Sequence, residues 1–102
     1  MYSIHYFKQA QTDLDEAIAY IAKDSVQYAL EYLQGYEEKI DLLKQNPNMG
    51  VECRVKQVNR DCRIIVYKSH IIVYRINDVK KEIWIIRIFH ASVNYPDKLN
   101  SN

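Results

Sequence analysis

The apolar period of this chain changes at Asn46-Pro47, and that change limits the folds open to it more than any other feature. Before it, Ala10, Leu14, Ala17, Ile18 and Ile21 recur at helical spacing. After Asp24-Ser25, which supplies an N-cap, Val26, Ala29, Leu30, Leu33, Ile40 and Leu43 do the same. Two amphipathic helices with so short a link must form an antiparallel hairpin, and proline at 47 drives its predecessor out of helical geometry. Asp13, Asp15 and Glu16 are expected near the start of the first helix, where carboxylates favour its dipole.

On either side of the helices the sequence is β-prone. Tyr2 to Phe7 alternates and reads as a first strand. After a polar stretch from Asn48 to Asp61 come three runs: Cys62 to Tyr67, His70 to Ile76 and Glu82 to Ala91. Lys68-Ser69 reads as a tight hairpin and Asn77 to Lys81 as a looser one. The predicted class is α+β in the order β-α-α-β-β-β, with the helical hairpin on one face of a mainly antiparallel four-stranded sheet. A chain of 102 residues is expected to be one domain, with a flexible tail from about residue 96.

Composition narrows the function classes. No run is long enough to span a membrane and MYSIHYF lacks the order of a signal peptide, so the expected compartment is the cytoplasm. In that reducing setting Cys62 reads as a small apolar residue and Cys53 as a loop thiol. Neither cysteines nor histidines have metal-ligand spacing, and Gly35 and Gly50 cannot make a phosphate loop, so no cofactor or metal is expected. Charge is divided unevenly. Residues 1–50 hold four lysines against eight acids, a balance of −4, and residues 51–102 hold ten cations against five acids, a balance of +5. A positive half attracts an anionic partner even when the whole is near neutral.

Strand parity raises the question of function. In Trp84 to His90, the residues Trp84, Ile86, Ile88 and His90 share one face, and the first three make the best core set. Arg87 then points the other way, into a groove the helices leave open, since burial without a partner would cost several kcal/mol. Arg63 sorts with Ile65 and Tyr67 and is its natural companion; His90 joins them if a bulge near Ala91 reverses the parity. Two guanidinium groups, a histidine and Tyr95 would suit a phosphate-containing ligand. Read blandly, they are exposed sheet residues, a strand-end histidine and a tyrosine that plugs the tail. Tyr28, Tyr32 and Tyr36 form a helical stripe, read as core edge or partner surface.

The element order, Ala10-x-x-x-Leu14, the helix end at Asn46-Pro47, Cys62-Arg63, and above all the ending IIRIFHASVNYPDKL resemble the RelE/ParE superfamily of toxins from type II toxin–antitoxin modules. The resemblance implies a bacterial growth inhibitor neutralised by a cognate antitoxin, which alone contacts operator DNA. It leaves two targets. A RelE-like member would cleave mRNA on the ribosome, with Arg63 and Arg87 on the scissile phosphate, Arg54 or Lys56 adding charge, and His90 or Tyr95 moving a proton. A ParE-like member would inhibit DNA gyrase without that catalysis, through the helix hairpin and the tail from Asn94. A non-toxic, antitoxin-binding relic is a third reading. The ParE-like one is favoured, because a pI of about 7.7 is low for a ribosome binder and Arg87-x-x-His90 followed by Asn94-Tyr95 looks ParE-like.

Overall fold

The computed structural model of the chain describes residues 1–53 and 62–92. Strand β1 (Ser3–Tyr6) leads into helix α1 (Lys8–Asp24), and Ser25 ends α1 while starting α2 (Val26–Gln45). As its position suggested, the Ser25 side chain accepts the backbone N–H of Tyr28 at 3.0 Å, filling one of the orphan donors of the new helix. Because α1 already begins at Lys8, no acid falls in its first turn. The three carboxylates expected to favour its dipole therefore sit in its second and third turns, too late to do so.

A single 3-10 turn (Pro47–Met49) follows, then β2 (Val51–Glu52), β3 (Arg63–Tyr67), β4 (His70–Asn77) and β5 (Glu82–His90). The sheet has five strands in the order β1-β5-β4-β3-β2, not four. The extra strand is two residues long, too short to leave a periodic trace inside a polar stretch. All neighbours are antiparallel except β1 and β5, which pair in parallel because the helix hairpin carries the chain back across the sheet between them. The helices pack on one face, where Ala10, Leu14, Tyr36, Ile40 and Leu43 meet Ile65, Ile72, Tyr74, Ile83, Ile85 and Ile88.

One irregularity corrects the parity predicted for β5. Val73 pairs with Arg87 but Tyr74 pairs with Ile85, so Ile86 is an additional residue, a β-bulge. Upstream of it Ile83 and Ile85 face the helices; downstream Ile88 does. Trp84 and Ile86, expected to line the helix-side core with Ile88, are on the far face. There Ile86 joins Cys62, Val73 and Phe89 in a second buried cluster. Cys53 and Cys62 were expected to be separate thiols and instead form a disulfide, because the β2–β3 pairing brings their Cα atoms to 5.5 Å.

Gly35 belongs in α2 for steric reasons. The Tyr67 hydroxyl reaches over it to donate to the Tyr32 carbonyl at 2.9 Å, and a Cβ on residue 35 would lie 2.2 Å from that hydroxyl oxygen. Alanine normally gains about 1 kcal/mol over glycine inside a helix. Here Gly35→Ala is expected to destabilise by roughly 1–3 kcal/mol through overpacking, and Tyr67→Phe in the same chain to recover most of the loss. Urea denaturation of the single and double variants measures this; a stabilised Gly35→Ala would refute the contact.

Candidate functional site

The pairing of β1 with β5 runs only to Tyr6 opposite Ile85, after which Phe7 N–H donates to the Ile85 carbonyl at 2.9 Å and the chain turns into α1. The rest of that β5 edge meets α1. Asp13, in the second turn of the helix, accepts the Ile88 backbone N–H at 2.9 Å and Arg87 Nε at 2.8 Å, with Arg87 Nη2 at 3.4 Å. Its side chain is only 8% exposed. The Arg87 guanidinium also lies 4.6 Å from the Phe89 ring centre, a cation–π arrangement. Arg87 is thus a paired residue at the sheet edge, not a free cation in a groove.

Arg63 is held elsewhere. It donates through Nη1 to the Gly50 carbonyl at 2.8 Å, and Nη2 lies 3.7 Å from Glu52. Its cross-strand partner is Tyr74, on the helix-side face, whereas that of Arg87 is Val73, on the far face. The expected companionship of the two arginines is therefore absent. They lie on opposite faces with β4 between them, because the bulge at Ile86 shifts parity in β5 and nothing equivalent does so in β3.

His90 lies on the helix side with Ile88, again away from Arg87, because the parity reversal comes before Arg87 and not after it. It pairs directly with His70, ring centres 5.5 Å apart. The two imidazoles border an open cleft of about 580 Å³ shared with Asp13, Glu16, Tyr20 and Ile88. Burial pushes the Tyr32 hydroxyl up to about 12, so it keeps its proton, and it is hydrogen-bonded to His70 Nδ1. Burial, and secondarily the nearby His90, lower the pKa of His70. The Ser92 backbone N–H donates to His90 Nδ1 at 3.2 Å, and Ser92 Oγ lies 2.8 Å from it. In the neutral state His90 therefore carries its proton on Nε2. The cleft has a pair of imidazoles, but its charged lining residues among those described are the acids Asp13 and Glu16, a poor setting for phosphate.

Of the tyrosine stripe, Tyr32 and Tyr36 are 2% and 3% exposed and belong to the core; only Tyr28, at 44%, offers a surface. Arg54, Lys56 and Tyr95, like the tail, lie outside the described residues. Sequence reasoning missed the Asp13–Arg87 pair and the His70–His90 pair. Counting outward from the β4–β5 hairpin sets His70 opposite Phe89, and only the bulge, which leaves no mark in the sequence, brings His90 there.

The fold has known relatives. The family model for the ParE toxin of the type II toxin–antitoxin system parDE matches residues 4–95. No protein of curated function matches significantly. Among solved structures the chain is similar to one from the chromosomal ParDE toxin–antitoxin system of P. aeruginosa, at 25% identity and a TM-score of 0.67 over 88% of this chain and 96% of that one. It shares its fold with the isolated E. coli RelE toxin, at 14% identity and a TM-score of 0.64 over 99% and 98% of the two chains. The same holds for the intact E. coli RelBE toxin–antitoxin complex, at 16% and 0.62 over 89% and 98%.

Two measurements test the site. Asp13→Ala leaves both the guanidinium and the Ile88 N–H without their acceptor, and is expected to cost about 3 kcal/mol. Arg87→Met should cost clearly less, because Asp13 keeps the backbone bond; equal losses by chemical denaturation would refute the edge-capping role. For His70, a folded-state pKa below the ordinary 6.5 means that the unfolded chain takes up the proton first. Its contribution to stability is complete above about pH 6.5 and declines as pH falls through that value toward the folded-state pKa. His70→Gln should flatten the melting-temperature profile over that window, and an unchanged slope would assign the titration to another group. With its two-layer fold and its match over residues 4–95, the chain belongs to the ParE toxin family of type II toxin–antitoxin systems.

Proposed function

We propose that the protein is a cytoplasmic growth inhibitor of the ParE type, which binds and disables DNA gyrase and is neutralised by a cognate antitoxin. The observation that carries this reading is the separation of the two arginines. Arg87 is bound by Asp13, Arg63 by Gly50 and Glu52, and they sit on opposite faces. A ribonuclease groove needs guanidinium groups converging on one phosphate, which this pair does not supply. The family match supports the same target class. No helix among the described residues is long and apolar enough to cross a membrane.

The antitoxin partner is inferred from the toxin–antitoxin systems to which the fold is similar. Its expected seat is the helix hairpin, where Tyr20, Val26, Tyr28 and Leu30 are exposed. A helix or strand with an apolar stripe would bury these side chains.

Purified protein at micromolar concentration is expected to stop gyrase supercoiling or trap cleaved DNA. Full supercoiling, together with new transcript ends after brief induction in cells, would replace this reading by the RelE-like ribonuclease, for which His70 and His90 would be the proton-transfer candidates. Full supercoiling with undisturbed growth would leave an antitoxin-binding relic.

A further inference from the structure

A second cavity, of about 480 Å³, lies well away from the His70–His90 cleft and is lined by Phe7, Arg75, Ile76, Asn77, Asp78 and Trp84. Three strands contribute side chains at one level. His5 of β1 and Arg75 of β4 are both direct partners of Trp84 in β5, so the three form a row across the far face. The His5 ring stacks on the indole at 4.8 Å and 22°, and Phe7 meets it edge-on at 5.7 Å. The indole N–H donates to Glu82 at 3.2 Å, which fixes the ring's orientation. Trp84 is thus a positioned aromatic surface that still borders an open cavity.

Arg75 differs from Arg63 and Arg87. Both of those have protein acceptors, whereas Arg75 is exposed and has no hydrogen bond or ion pair to the described residues. It stands beside a packed aromatic cluster with its donors unused by the described residues. A cavity of this size, with an aromatic wall, one cation and a few polar groups, suits a small planar ligand that carries an anion. Asn77 and Asp78 add an amide and a carboxylate able to meet the polar edge of a ring. Two carboxylates are close, Asp78 accepting the Tyr2 hydroxyl at 2.6 Å and Glu82 accepting the indole N–H. They disfavour a long run of negative charge, so the anion should be a single phosphate and not a triphosphate or a strand.

We infer that this cavity is a nucleoside monophosphate site, in which the base packs against Trp84 and Phe7 and Arg75 binds the phosphate. The inference goes beyond the gyrase reading and does not rest on it, and its test contains no gyrase. Trp84 is the only tryptophan of the chain, so its fluorescence reports on the site directly. Titration of the full chain with AMP should give a saturable quench. Arg75→Ala, an exposed change that should leave far-UV circular dichroism intact, is expected to weaken it about tenfold or more, as for loss of a charge-assisted hydrogen bond. Arg75→Lys should fall between, and adenosine, ATP and pentadeoxyadenylate should all bind less well than AMP. The proposal is overturned if AMP gives no saturable quench, if folded Arg75→Ala binds AMP as the parent does, or if ATP or the oligonucleotide binds more tightly than AMP.

Discussion

Strand β5 borders β4 along its length but β1 only as far as Ile85, and the treatment of the remaining edge organises the rest of the molecule. An uncovered strand edge presents backbone donors and acceptors that must find water or another partner. Here Asp13 closes it from α1, with one carboxylate serving the Ile88 N–H and the Arg87 side chain. The contact fixes the helix against the sheet and removes Arg87 from solvent chemistry. It also leaves the His70–His90 cleft as a space between α1 and the end of the sheet. One ion pair thereby bears on both fold and site, since the guanidinium that Asp13 holds at the edge is the one a phosphate-binding groove would have required.

Tyrosine hydroxyls provide a second tier of polar links inside the helix-side layer. Tyr6 and Tyr36 share a hydrogen bond of 2.8 Å, Tyr67 donates to the Tyr32 carbonyl, and Tyr74 donates to the Pro47 carbonyl at 2.7 Å while accepting the Gly50 N–H. Buried phenols need such partners, and these tie α2 and the 3-10 turn to the sheet at defined positions. The aromatic stripe of α2 is consumed in this way over two of its three tyrosines. Of the two readings the sequence pattern left open, core edge or partner surface, Tyr32 and Tyr36 follow the first and only Tyr28 is exposed.

The α+β class, the helix hairpin and core residues such as Ala10, Leu14, Ile40 and Leu43 were legible in the sequence because they rest on local periodicity, capping and proline geometry, although Val26 and Leu30 of the expected α2 stripe are exposed. The His90 cleft and the roles of Arg63 and Arg87 were not. Side-chain facing in a strand has a period of two, so one inserted residue inverts every assignment beyond it. Nothing in the run Trp84 to His90 marks Ile86 as that residue, since isoleucine is equally at home on either face. The disulfide was hidden for a related reason: a spacing of nine residues becomes a contact only when β2 pairs with β3.

What the sequence determined by itself was therefore the inventory: two helices, β-rich segments, an apolar core, and cations concentrated after residue 50. Only the tertiary structure decided which charges meet. It set Arg87 on Asp13, separated in sequence by most of the chain, placed Arg63 on the other side of the sheet, and left Arg75 unpaired among the described residues. The reason is that local pattern specifies which face of an element is apolar. The partner of a charge depends on strand register and on the bulge, which are settled by packing between distant segments.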